Sequence, residues 1–385
     1  MLLANIIWTS QFFAVTDLQR AALPTAELDR IASLVIFMLV DYKFYTLFAM
    51  LFGLGFSMQL SRATRLSANP IPTYRRRLAI LFLLGVAHGI FLWFGDILHI
   101  YALVGIILIL LRDRSDKSLL ILAGGLALFT SLTPFLEWLV AQVVSSNARV
   151  ENLLEAEKFF TLTSGVWLDV VKLNWSHNVN DYLNSGFGFD SVSYLYLSVL
   201  WKFLIGFVAG RRMLLQKSDE YVAQYRRLLP WAATIGLLGN AYLSVSAWVF
   251  DLWIPSSSSP LIRLSWVFVE ISMFALSLSY LSLLVVLFHR PSWRDKVGLL
   301  APVGRMALTN YLTQSLFIVF LFYGAGLGLL GKVGSGVCAI LSLIIFALQI
   351  YVSRWWLSRY RFGPIEWVWR CFTYGMRQPL RISAF

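Results

Sequence analysis

The residues with chemistry to offer in this chain are few, and the densest group lies in one stretch. HGIFLWFGDILHIY, His88 to Tyr101, holds an imidazole, a carboxylate and a second imidazole in otherwise apolar surroundings. An unbroken helix would separate His88 from Asp96 by roughly 12 Å, eight residues at 1.5 Å each. The turn at Gly95 can fold the carboxylate back toward the imidazole. A histidine oriented by a carboxylate is a usual general-base arrangement, which makes His88 and Asp96 candidate catalytic residues. Two structural roles compete: His88 bonded to a helix carbonyl, and Asp96 capping the helix that begins near Ile97. His99 is close in sequence, but its face is left open.

Other polar residues sit where polarity is costly. A charge at the centre of a bilayer costs about 2.5–3.5 kcal/mol on the insertion scale, so each needs a reason. In GRMALTNYLTQS, Gly304 to Ser315, Asn310 and Gln314 are four apart and share a helix face. They suit hydrogen bonding between helices or contact with a substrate. Arg305 can snorkel to the interface or hold a phosphate or carboxylate in its planar fork. Lys43 pairs locally with Asp41 or binds substrate. Lys202 and Glu270 pair across helices or line a polar cavity. With Arg361 and Glu366 from RYRFGPIEWVWR, the candidate substrate-binding set is Lys43, Arg305, Asn310, Gln314, Arg361 and Glu366. The run Asn174-Trp175-Ser176-His177-Asn178, with Asn180, Asp181, Tyr182 and Asn184 beyond, suits a polar acceptor such as a sugar, or simply a solvated loop. The two cysteines form no CxxC and the four histidines no HExxH, so neither a metal site nor a disulfide framework is readable.

The elements that must position these groups are membrane helices. Charged residues make up 14% of the chain against about 25% in soluble domains, and mean hydropathy is +0.71. The apolar residues come in long runs, as lipid rather than water demands. About ten spans follow: a fragment from Met1 to Val15, then 44–60, 78–94, 97–111, 119–140, 192–208, 228–250, 264–287, 299–321 and 337–356. The run Ile31 to Leu60 is too long for one span, so Asp41 and Lys43 are expected near the outer boundary. The first fragment, roughly 22 Å as a helix, is short for a span and is expected to continue upstream of Met1. Residues 1–363 form the bundle, with 141–191 as its outer polar segment, and 364–385 form a basic amphipathic tail at the cytoplasmic surface.

Lysine and arginine alternate between loops. One set of loops carries 22 and the other seven. The positive-inside bias places the richer set, and both termini, in the cytoplasm. The net charge of +12 therefore reflects membrane orientation, not a nucleic-acid surface.

Four stretches carry a resemblance to a known family. KFYTLFAMLFGLGF (Lys43 to Phe56), HGIFLWFGDILHIYALVG (His88 to Gly105), GRMALTNYLTQS (Gly304 to Ser315) and RYRFGPIEWVWR (Arg359 to Arg370) closely resemble the YeiB family of bacterial inner-membrane proteins, a conserved domain of unknown function. That family resembles, more remotely, transmembrane acyltransferases that modify heparan glucosamine or bacterial surface sugars. The resemblance implies an acyl group moved from a cytosolic donor, acyl-CoA, to a glycan or small-molecule acceptor across the membrane, with His88 as base. The family's usual Leu-Asp and Arg-Gly motif before the first helix has no counterpart here. The competing expectation is a transporter of a small polar or anionic solute, its intramembrane polar residues lining a path.

The loop charges generate a direct test. A cysteine placed at Ser146 is expected to react with a membrane-impermeant maleimide from outside, and one at Ser218 only after permeabilisation. The reverse pattern refutes the topology.

Overall fold

A computed structural model describes residues 1–12, 15–65, 69, 71–141, 157–184, 192–250, 264–265 and 267–382. Regular structure among them is helical, apart from an isolated bridge between Tyr360 and Arg381. The elements used below are α1 (Leu2–Ile7), α2 (Ala26–Leu39), α3 (Lys43–Arg65), α4 (Ile71–Phe91), α5 (Leu98–Leu111), α6 (Asp116–Ala141), α7 (Trp167–Asn184), α8 (Val192–Arg211), α9 (Ser218–Phe250), α10 (Val267–Phe288), α11 (Ala307–Phe322), α12 (Ser335–Leu357) and α13 (Pro364–Tyr374).

The helices are amphipathic in the inverted sense. On α12, Ser335, Cys338, Ser342, Gln349 and Ser353 are buried, while Ile340, Leu343, Ile344 and Tyr351 are exposed. On α10, Glu270, Ser272, Ser277, Ser279 and Ser282 are buried, and Phe268, Ile271, Leu283 and Leu284 face out. A protein in water does the opposite. Helices packing in hydrocarbon gain nothing by hiding leucine, so small and polar residues take the interfaces. The chain is thus an all-helical, multi-pass membrane protein.

Six stretches among the described residues are long and apolar enough to cross a bilayer: Ala26–Ser61, Asp116–Thr133, Tyr194–Arg211, Ser218–Ser246, Val267–Phe288 and Ser335–Leu357. α5 and α11 are apolar but shorter, at 14 and 16 residues. α4 carries Arg75, Arg76 and Arg77 near its start.

Asp41 and Lys43, expected near the outer boundary, prove to be buried among helices. They sit at a break between α2 and α3, where Tyr42 adopts the left-handed conformation at φ 61°. Breaking a helix frees carbonyls that lipid cannot satisfy. Here Lys43 Nζ donates to Phe37 O at 2.7 Å and Tyr280 Oη to Leu39 O at 2.7 Å, while Ser277 Oγ ties α10 to the first carbonyl of α3, Lys43 O, at 2.9 Å. The polar segment 141–191 is likewise not simply a loop: it contains a helical turn at 157–163 and α7, which packs against α4.

α3 and α8 cross backbone against backbone. A Cβ on Gly53 would overlap the Phe203 carbonyl, and one on Gly206 would overlap the Met50 carbonyl. Gly206→Leu is therefore expected to separate the pair and cost about 1–3 kcal/mol or more, as overpacking does. A lowered Tm with unchanged membrane insertion is the expected readout.

Candidate active site

α4 runs toward the hairpin at Gly95 and places His88 one turn before its end. The chain turns at 92–97, and α5 starts at Leu98. This brings Asp96 beneath both imidazoles. Asp96 Oδ1 is 2.9 Å from His88 Nδ1. Its Oδ2 accepts from the His99 backbone N–H at 2.9 Å and lies 2.8 Å from His99 Nδ1. Tyr311 Oη donates to Oδ1 from α11 at 3.4 Å. Asp96 is therefore both helix cap and histidine orienter, the two roles the sequence set against each other.

The tautomers follow from these contacts. An ionised carboxylate only accepts, so both histidines donate to Asp96 through Nδ1. His88 Nε2 then carries a lone pair. Ser315 Oγ lies 2.7 Å from it and donates. Asp96, His88 and Ser315 thus form a continuous line from carboxylate through imidazole to hydroxyl, with all three residues buried. Such a line can raise the nucleophilicity of the hydroxyl, as in serine hydrolases on unrelated folds.

Neighbouring elements hold this geometry. Gly85, one turn before His88, has no room for a side chain: a Cβ would lie 2.6 Å from Asp96 Oδ2 and overlap the His99 backbone nitrogen. On α7, Asn174 donates to Ile90 O at 3.2 Å and Asn178 to Gly89 O at 3.5 Å, satisfying carbonyls at the end of α4. The Asn174–Asn178 run therefore braces the histidine helix. The side chains of Asn180, Asp181, Tyr182 and Asn184 lie outside the described residues.

The other candidates fall elsewhere. Asn310 donates to Val303 O and Ser353 Oγ, both at 3.1 Å, and Gln314 donates to Gln349 Oε1 at 2.8 Å, fastening α11 to α12. Glu366 accepts from the Thr309 N–H at 2.9 Å and from its hydroxyl, capping α11 from α13. Thr309 Oγ1 in turn accepts from the Ile365 N–H at 3.1 Å. Arg305 donates to the Arg361 carbonyl at 3.3 Å. Lys43 remains at the α2–α3 break. Lys202 and Glu270 do pair, at 3.2 Å, with Ser198 and Tyr194 donating to the same carboxylate.

Residues 209–376 match the family described as "Protein of unknown function (DUF418)". The chain is 30% identical over 369 residues to the uncharacterized protein YxaH of Bacillus subtilis (strain 168), covering 92% of this chain and 85% of that one. It is 31% identical over 340 residues to the uncharacterized protein YeiB of Escherichia coli (strain K12), covering 86% and 81%. The chain belongs to the YeiB family. No solved structure matches. The family match spans α9 to α13 and so includes Tyr311 and Ser315.

Ser315 is the residue that sequence reasoning passed over. It lay inside a quoted motif, four positions after Tyr311, and a serine in a membrane helix usually bonds its own backbone. Its distance of 227 residues from His88 hid the contact.

Asp96→Ala and Asp96→Asn are expected to differ. Alanine strands several buried donors at about 1–3 kcal/mol each, so folded yield should collapse. Asparagine keeps one acceptor and should give intermediate Tm. Equal stability of both variants would remove Asp96 from the centre of the site.

Proposed function

We propose that the protein is an acyltransferase of the bacterial cytoplasmic (inner) membrane, with ten spans and both termini cytoplasmic. It takes an acyl group from a cytosolic thioester, acyl-CoA, and delivers it to an extracytoplasmic glycan or small-molecule acceptor. The supporting observation is the line Asp96–His88–Ser315.

The steps balance on these residues alone. His88 Nε2 takes the Ser315 proton as Oγ attacks the thioester carbonyl. The C–S bond breaks, and the thiolate leaves with the proton returned by His88. The Ser315 ester then meets an acceptor hydroxyl, which His88 deprotonates. Attack releases the acylated acceptor, and the Ser315 oxygen regains its proton from His88. Asp96 stabilises the imidazolium that appears twice in this cycle. Because Ser315 and His88 are enclosed, the donor enters only when α11 moves from α4.

A second reading has its own support. The break at Tyr42 and the buried Lys202–Glu270 pair are the kind of features that line transport paths. A transporter would alternate the accessibility of cysteines placed beside them and would form no acyl adduct.

The test uses purified protein with radiolabelled acetyl-CoA and a long-chain acyl-CoA. His88→Gln and Ser315→Ala are each expected to lose turnover by about 10²–10⁴, the usual scale for a proton-transfer group, with Tm nearly unchanged. Asp96→Asn should lose less. Covalent label should appear on wild type and vanish in Ser315→Ala. Full activity in well-folded His88→Gln protein would end the acid–base reading, and a wild type that neither takes up label nor transfers it would leave the transporter.

A further inference from the structure

We propose that Arg77 and Arg370 form a binding site for a phosphate group at the end of α4 opposite His88. Arg77 lies in the second turn of α4, and Arg370 comes from α13, which packs across it. Arg77 meets α13 at Trp369, the residue next to Arg370, so two like charges are gathered where α13 crosses α4. None of the ion pairs among the described residues involves either arginine. The buried Nε of each has no hydrogen-bond partner, nor does the buried hydroxyl of Tyr74 beside Arg77.

Both guanidinium groups are held in place without being satisfied. Arg77 stacks over the Trp369 ring at 4.1 Å, and Arg370 over the Phe362 ring at 4.3 Å. Trp369 Nε1 donates to the Arg77 carbonyl at 3.0 Å, locking α13 onto α4. Aromatic faces fix a guanidinium plane and leave its N–H edge free. An arginine cannot shed its charge to relieve burial or repulsion. Two fixed positive forks and a phenol lacking an acceptor call for an anion with several oxygens and more than one unit of charge. A phosphate ester has both, and arginine forks match its oxygens in pairs.

Two sources carry that chemistry: the headgroup of an anionic phospholipid, and a soluble phosphate ester such as the phosphates of a thioester carrier. Eleven residues of α4, roughly 16 Å, separate Arg77 from His88. The site therefore stands apart from the reacting groups, and either proposal can fail alone.

The experiment uses full-length protein, delipidated in dodecyl maltoside in phosphate-free buffer at fixed ionic strength. Inorganic phosphate, CoA or phosphatidylglycerol is added separately, and Tm and binding are measured. Wild type should gain stability with at least one of them. A response to phosphatidylglycerol alone assigns a lipid headgroup, and a response to phosphate or CoA assigns a soluble ester. Arg370→Gln removes a like charge, so without anion it should be at least as stable as wild type. It should also bind the responding anion about 10–100-fold more weakly, the scale of a lost charged hydrogen bond. Tyr74→Phe, with its ring packing kept, should weaken binding less. His88→Gln should keep the full anion response. A fall in Tm for Arg370→Gln that is the same with and without anion would make the pair a purely structural stack and overturn the proposal. So would a wild type that responds to none of the three anions.

Discussion

Hydrocarbon offers no hydrogen-bond partner, so every polar atom carried into the bilayer must find one within the protein. The architecture depends on this constraint more than on apolar burial. Leucine and isoleucine face outward on α10 and α12 because lipid accommodates them as well as a core would. Serine, glutamine, asparagine and the buried charges turn inward, the glutamines to partners on other helices and serines such as Ser272, Ser279 and Ser282 to carbonyls of their own helix. The Gln314–Gln349 pair and the Asn310–Ser353 contact are adhesive in this sense. The Lys202–Glu270 pair is less clearly so. Taking two charges out of water costs several kcal/mol per ion, so such a pair is weak evidence for stability. It does fix which face of α8 meets which face of α10.

The same constraint explains the placement of three carboxylates. The first N–H groups of every helix lack partners. Asp96 accepts from the second N–H of α5, Glu366 from the third of α11, and Asp29, from the first turn of α2, from the Gly336 N–H of α12 at 2.9 Å. Each negative charge also meets the positive end of a helix dipole. Asp96 alone has a second duty, because its cap happens beneath an imidazole. The candidate catalytic line is built on a structural requirement: the carboxylate that starts α5 also sets the tautomer of His88.

Local relations were legible in the sequence, and distant ones were not. His88 and Asp96 are eight residues apart across a glycine turn, so their meeting could be read from spacing and turn chemistry. The membrane class and family were equally readable, since hydropathy and motifs are properties of the string. Ser315 was not readable, because helix packing, and no rule of spacing, brings α11 to α4. Glu366 and Asn310 stand in the candidate substrate-binding set, and the contacts found for them are a helix cap and a helix–helix bond. The break at Tyr42 leaves only Asp41 and Lys43 as its mark in the run from Ile31 to Leu60, and two charges by themselves also suit a boundary. Composition records what lipid tolerates, whereas the break depends on Tyr280, 241 residues from Leu39, to satisfy a freed carbonyl.

α4 links these features into one mechanical unit. One end is fastened to α13 through Arg77 and Trp369, and the other to α7 through Asn174. α13 is joined in turn to α11 by the reciprocal caps of Glu366 and Thr309. His88 on α4 and Ser315 on α11 therefore sit on two helices that share α13 as a common brace. Any displacement of α13 changes the angle between them. A hydrogen bond of 2.7 Å between imidazole and hydroxyl weakens steeply with misalignment, so the geometry at His88 is tied to whatever holds α13 against α4. α13 is thus the element that joins the Arg77 end of α4 to the helix that carries Ser315.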